Sequence, residues 1–408
     1  MVSEHASPAC ALGGADAGGQ NVYVAQLSLE LARRGHEVTV YTRRDAPDLP
    51  ARMPYPPAAA GGAAVTIAHV PAGPPRTLPK DALFPHMPAF GAHLARVWAA
   101  DPPDVVHAHF WMSGMAALAG ARGLGVPVVQ TFHALGTVKR RHQGERDTSP
   151  AERIDVERRI GRACSRVLAT CTDEVDELTA MGVPATHTAV VPCGVDTERF
   201  RPEGGAAEAP ARQRPHRLVA TGRLVPRKGF DLAIRALAEV PDTELLIAGG
   251  PEPALLEREP EARRLRGLAA RLGVADRVRL LGAVPHERMP ALLRSADAVL
   301  CTPVYEPFGI VPLEAMACGV PVVATAVGGH LDSVADRVTG RLVPPGDAGA
   351  LAGTVRELLA APARLRAYGA AGRERALARY AWARVADGVE RVYQQVAAGR
   401  PEPTEVVR

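Results

Sequence analysis

The chain has 408 residues, 47% apolar and 23% charged, with a formal charge of +4 and a pI near 8.8. At about 100–200 residues per domain this favours two globular domains over one, and the balance excludes a fibre, a disordered chain or a membrane protein. Arginines are scattered over helical patterns without interleaved aromatics, so a nucleic-acid partner is not expected; the densest basic run, Lys139-Arg140-Arg141-His142, reads as a solvated loop that a phosphate or an anionic membrane surface could also use.

The N-terminal residues Met1-Val2-Ser3-Glu4-His5 carry no basic and apolar leader, and no stretch nears the roughly 18 apolar residues of a span, so a cytoplasmic protein is expected. Six cysteines, Cys10, Cys164, Cys171, Cys193, Cys301 and Cys318, lack Cys-x-x-Cys pairing and read as buried thiols in a reducing compartment.

Along the chain, β-branched runs at 37–43, 64–70, 104–109, 127–133 and 166–171 alternate with helical patterns at 21–34, 83–99 and 112–122. Residues 201–215, rich in Pro, Gly and Ala, lose periodicity as a linker does. The alternation then restarts, with strands at 218–222, 244–248, 278–281, 298–301 and 321–325 and helices at 230–239 and 254–272. Strand–helix alternation predicts two doubly wound α/β domains with a ligand cleft between them at the strand carboxyl ends. Only Met1-Val2-Ser3 precedes the first loop, so either the opening strand is very short or the true start lies upstream.

Three segments carry chemistry. Gly13-Gly14-Ala15-Asp16-Ala17-Gly18-Gly19-Gln20-Asn21 runs into a helix, a place for an anion or simply a turn; its spacing matches neither the dinucleotide fingerprint nor a P-loop. Gly222-Arg223-Leu224-Val225-Pro226-Arg227-Lys228-Gly229 joins a strand to a helix, where Arg223 and Lys228 could neutralise a diphosphate or merely flank a turn. Between residues 302 and 316, a proline-bounded loop carries Glu306 and a helix starting near Phe308 carries Glu314. Free amides of Phe308, Gly309 and Ile310 suit a phosphate, Glu306 a sugar ring and Glu314 a ribose; helix capping is the plainer role for either carboxylate. His107 and His109 share a strand face, which suggests a metal, but no third ligand is near and packing is the preferred reading.

Glu306 and Glu314 form an E-x7-E pair followed by Ala-Met-Ala-x-Gly-x-Pro-Val-Val-Ala-Thr, which resembles the donor signature of family 4 retaining glycosyltransferases. Gly18-Gly19-Gln20-Asn21, Gln130-Thr131-Phe132-His133, Val195-Asp196-x-x-Arg199-Phe200, Gly222-Arg223 with Lys228, and Val327-Gly328-Gly329 stand in the order that family has them, over nearly the whole chain. The resemblance implies the GT-B architecture: an acceptor-side domain over 1–200, a nucleotide-sugar domain over 201–380, a terminal helix at 381–398 crossing back to the first domain, and a disordered tail at 399–408.

It also implies transfer of a hexosyl group from a nucleotide sugar, such as a UDP-sugar, to a small hydroxyl acceptor with retention and with no metal or other cofactor; no Asp-x-Asp occurs. Residue by residue it places Arg223, Lys228 and Gly19 at the diphosphate, Glu314 on the ribose, and Glu306 with His133 on the sugar. Asn21, Lys80 and Arg153 match positions that hold the acceptor phosphate in mycothiol-pathway inositol-phosphate enzymes. Phe110, Ala134 and Gln20 depart from that subgroup's Tyr, Thr and Met, and Gln20 with Tyr305-Glu306-Pro307-Phe308-Gly309 looks more like the sucrose-phosphate-synthase side. A same-fold epimerase or phosphorylase, or a non-catalytic nucleotide-sugar-binding subunit, are the alternatives.

Overall fold

The computed structural model describes residues 1–9, 18–56, 65–205 and 209–399. They form two compact units, Met1–Pro192 with the described residues from Val385, and Cys193–Arg384. The division precedes Val195, whose amide donates to Tyr380 O at 2.7 Å, and the buried Phe200, so both belong to the second unit.

In the first unit the strands are β1 (Thr39–Arg43), β2 (Arg52–Tyr55), β3 (Val65–Val70), β4 (Val106–His109), β5 (Val128–Thr131), β6 (Arg166–Ala169) and β7 (Thr188–Val190). They form two ladders, β1-β3-β2 and β4-β5-β6-β7, parallel except for β2 on β3. Val2 joins them, bridging Tyr41 and Ala108; its amide donates to His107 O and its carbonyl accepts from His109 N, both at 2.9 Å. Val2 itself is wholly buried.

The strand expected over 127–133 ends early for a backbone reason. His133 takes φ +64°, a region that ladder residues do not occupy, so β5 stops at Thr131 rather than 133; Phe110, at φ +79°, follows β4 where that strand ends at His109, as expected. β2, β7 and a strand of the second unit, β13 (Gly340–Val343), were not expected from the sequence. β2 contains Pro54, tolerated on an edge strand, and β13 opens on Gly340, so neither carries the usual signal. The helix expected over 254–272 runs only Pro260–Arg271, started by Pro260 and by Glu259, whose carboxylate accepts from Glu261 N. The last helix, Trp382–Ala398, packs into the first unit from Val385: Arg34 Nη1 donates to Asp387 and Glu390 at 2.8 and 2.6 Å.

The second unit carries β8 (His216–Thr221), β9 (Thr243–Ala248), β10 (Val278–Gly282), β11 (Ala298–Cys301), β12 (Val322–Thr325) and β13 (Gly340–Val343). Their order is β10-β9-β8-β11-β12-β13, all parallel. The order reverses between β8 and β11, and a doubly wound sheet leaves its ligand crevice outside the carboxyl ends at that reversal. The loops after β8 and β11, which hold most of the expected donor residues, therefore sit side by side.

Among the described residues no helix is long and apolar enough to cross a membrane. Cys164, Cys171, Cys193, Cys301 and Cys318 are buried, while Cys10 lies outside the described residues.

One charge pair is enclosed in the second unit: Arg217 and Glu244 are 2% and 0% exposed, with Nε donating to Oε1 at 2.8 Å. Arg217→Met strands a buried carboxylate and is expected to destabilise this unit by about 3–5 kcal/mol in chemical denaturation, whereas Arg217→Met with Glu244→Leu recovers most of the loss. Equal midpoints for the single and double variants would contradict this.

Candidate functional site

In the first unit the expected acceptor cations do meet. Lys80 Nζ lies 4.8 Å and the Arg153 guanidinium carbon 5.1 Å from the centroid of the Phe110 ring, at the carboxyl end of β4. Phe110, which the sequence marks only as a departure from a subgroup, is thus the platform for both. His5 also meets it, edge-on at 5.1 Å, with its Nδ1 2.6 Å from Glu4 Oε1; no sequence signal singles His5 out.

Arg153 is largely engaged by its own unit. It is 2% exposed, donates from Nε to Glu157 Oε1 at 2.7 Å, from Nη1 to Ser149 Oγ at 3.1 Å, and from Nη2 to Ala134 O. Burial pushes the Glu157 carboxyl up, against the guanidinium and the Gly136 amide that favour its charge. Lys80 is the half-buried partner, at the start of the short turn of helix Lys80–His86.

Asn21 closes the start of the Gly19–Arg33 helix: its Oδ1 accepts from Gly18 N and its Nδ2 donates to Ser7 O, both at 3.2 Å. Gly19 is the first residue of that helix. The rest of the glycine-rich loop, residues 10–17, lies outside the described residues. Gln20 Nε2 donates to Ser3 Oγ and His109 O, at 3.3 Å each.

His133 is buried with its Nε2 3.0 Å from His109 Nδ1. The His107 ring lies tilted against that of His109 with centroids 4.1 Å apart, and its two nitrogens meet Thr131 Oγ1 and Tyr393 OH, each at 2.8 Å. Burial drives His107 down to about 3 and His109 and His133 well below the ordinary histidine value, with the neighbouring imidazoles adding to the effect at His109 and His133. These are neutral rings packed against one another, and no group of three His, Cys, Asp or Glu among the described residues could hold a metal.

In the second unit the two loops at the strand-order reversal are stitched together. Thr302 Oγ1 donates to Gly229 O at 2.8 Å and Val304 N to Arg227 O at 2.9 Å. Gly229, at φ +65°, must be glycine, because a Cβ there would lie 1.9 Å from Thr302 O. Across this seam the Lys228 ammonium bonds to the Glu306 carboxylate. Burial opposes the charge on Glu306, but Lys228, Arg227 and His330 hold its carboxyl down to about 2, so it is ionised throughout the neutral range. Lys228 and Glu306, assigned separately from sequence to diphosphate and sugar, are thus each other's partners here. Arg227 lies over the Tyr305 ring at 5.4 Å, a contact the sequence reading missed.

Arg223 is exposed just past β8. Gly309, at φ +73°, caps a helix that starts at Ile310 rather than near Phe308 and runs to Ala317. Its first-turn amides have no intrahelical carbonyl, which leaves the Gly309–Ile310 turn as the anion-seeking end. Glu314, on that helix, sits 3.7 Å from His286 Nε2, and His286 Nδ1 in turn meets Arg199 Nη1 at 2.5 Å. The Gly328-Gly329 pair backs the whole loop, since Gly329 N donates to Glu306 O at 2.8 Å and a Cβ on Gly328 would lie 2.3 Å from that oxygen.

Residues 17–199 match the family description Glycosyltransferase Family 4, and residues 206–375 match Glycosyl transferases group 1. A D-inositol 3-phosphate glycosyltransferase of Acidothermus cellulolyticus is 38% identical, with 98% of this chain and 90% of that protein aligned. A D-inositol 3-phosphate glycosyltransferase of Catenulispora acidiphila is also 38% identical, over 98% and 97%. The solved sucrose-phosphate synthase of Thermosynechococcus elongatus superposes with a TM-score of 0.86 at 32% identity, over 97% of this chain and 98% of that one. With two family descriptions spanning both units and relatives matched along nearly their full lengths, the chain belongs to the family 4 glycosyltransferases of GT-B architecture.

Proposed function

We propose that this glycosyltransferase moves a hexosyl group from a nucleotide sugar to a small phosphorylated polyol or sugar, with retention of configuration. One observation carries the acceptor: Lys80 and Arg153 converge on the single Phe110 ring, bringing two permanent cations to one spot, where a phosphate dianion is favoured. The names of the similar proteins, D-inositol 3-phosphate glycosyltransferase and sucrose-phosphate synthase, both contain a phosphorylated compound, which supports the same class. Asn21, already tied into the helix start, serves this site by holding its wall.

On the donor side, the diphosphate is assigned to the crevice at the β8/β11 reversal. Arg223 and Lys228 supply positive charge, the turn at Phe308, Gly309 and Ile310 supplies amides, Gly19 comes from the first unit, Glu314 takes the ribose hydroxyls, and Glu306 takes the transferred sugar. His133 is assigned to sugar hydroxyls. Lys228 already bonded to Glu306 suits this role: an ammonium has three donors, so it can keep the carboxylate and still meet a phosphate oxygen. The acceptor hydroxyl then attacks the face the diphosphate leaves, the diphosphate takes its proton, and the protein's part is positioning and stabilising the leaving charge.

Three outcomes follow. Glu314→Ala and Arg223→Ala each remove a charge-assisted hydrogen bond of about 1.5–3 kcal/mol, so calorimetry should give nucleoside diphosphate affinity lower by about one to two decades; wild-type affinity in both removes the donor assignment. Because the chain's own cations are assigned to the diphosphate, turnover should persist in EDTA; loss that Mg²⁺ or Mn²⁺ restores contradicts a metal-free mechanism. Phosphorylated acceptors should outperform their unphosphorylated forms in the wild type, and Lys80→Ala should erase that preference. If the unphosphorylated form reacts equally well in the wild type, an anionic acceptor is wrong.

A further inference from the structure

The second unit holds a cavity of about 450 Å³ at the end of its sheet away from the Lys228–Glu306 seam. That volume falls in the roughly 300–1,000 Å³ range of pockets that take small molecules. Asp297 and Pro321, which line it, immediately precede β11 and β12, so it lies at the amino ends of those strands, whereas Glu306 follows the carboxyl end of β11. Pro202 and Leu365 add apolar wall, and Arg294 and Arg366 add charge.

The two arginines keep that charge. Half-buried Arg294 donates from Nη1 to Arg201 O and from Nη2 to Gly205 O, both at 3.1 Å. Carbonyl partners fix the plane of a guanidinium without cancelling its charge. Arg366 stands exposed on the helix Pro362–Arg375, in its second turn. Among the described residues neither arginine has a carboxylate within ion-pair distance. Asp297, the acidic residue of the lining, is already answered: its Oδ2 accepts from Arg212 Nη1 and from the Arg217 amide, each at 2.7 Å. The helix Pro362–Arg375 also opens on this wall, and a helix start carries partial positive charge.

We propose that this cavity is a second anion site, separate from the nucleotide-sugar crevice, that takes a small phosphate monoester. Arg294 and Arg366 meet the phosphate, whose oxygens match the guanidinium fork, and Pro202, Pro321 and Leu365 cover the organic part. The site lies wholly within the second unit and does not rest on the donor or acceptor assignments above.

Calorimetric titration of glucose 6-phosphate into the full chain tests it. Lys80→Ala serves as the parent, so that the cation pair on Phe110 is dismantled, and UDP is kept in excess to fill the donor crevice. The parent should bind the ester saturably, Arg366→Ala and Arg294→Leu should each weaken binding about tenfold or more, the scale of one charge-assisted hydrogen bond, and Arg366→Lys should restore part of the loss. Arg366 is exposed, so its variants should unfold at the parent's midpoint. Glucose should not bind, and inorganic phosphate should bind more weakly than the ester because it leaves the apolar wall untouched. Absence of ester binding in the UDP-saturated parent overturns the proposal, as does binding that Arg366→Ala leaves unchanged. Glucose or inorganic phosphate binding as tightly as the ester overturns the monoester assignment.

Discussion

The second unit depends on one ion pair, Lys228 with Glu306, closing the seam between the loops after β8 and β11. Those loops are neighbours only because the strand order reverses between β8 and β11. The reversal leaves two strand ends with no helix between them, and the pair occupies that gap. Two further features follow from it. Gly229 lets the first loop approach Thr302 to backbone contact, and Gly328-Gly329 let the β12 loop bond to the Glu306 carbonyl from behind. A carboxylate whose backbone and side chain are both held is ionised and fixed before any ligand arrives, which is the condition for electrostatic catalysis by positioning.

The first unit reaches a comparable end by backbone strain. Phe110 and His133 each follow a parallel strand and each turn into the left-handed region, at φ +79° and +64°. Non-glycine residues held there are uncommon and persist where surrounding packing over-determines them. Phe110 is held beneath Lys80 and Arg153, and His133 against His109 and Tyr23.

The two cations over the Phe110 ring, both in the first unit, differ in how they are held. Arg153 is tied to Glu157, Ser149 and Ala134, so it is a fixed charge on a fixed ring. Lys80, half-buried on a flexible stem, is the adjustable member. The acceptor site proposed above thus pairs one rigid cation with one adaptable cation.

What the sequence by itself determined was local: the β-branched runs that became β4, β5, β8, β9, β11 and β12, the E-x7-E helix carrying Glu314, and the cluster of residue types suited to a nucleotide sugar. Periodicity and composition report burial and charge along the chain, so these were legible. What only the tertiary structure decided was pairing at long range. That Lys228 meets Glu306, that Phe110 gathers Lys80 and Arg153, that His286 and Arg199 stand by Glu314, and that Tyr393 fixes His107 are all contacts between segments well separated along the chain. Strands β2, β7 and β13 were hidden for a related reason: edge positions, Pro54 and Gly340 give up the apolar alternation that a sequence can display, and only their neighbours in the sheet make them strands.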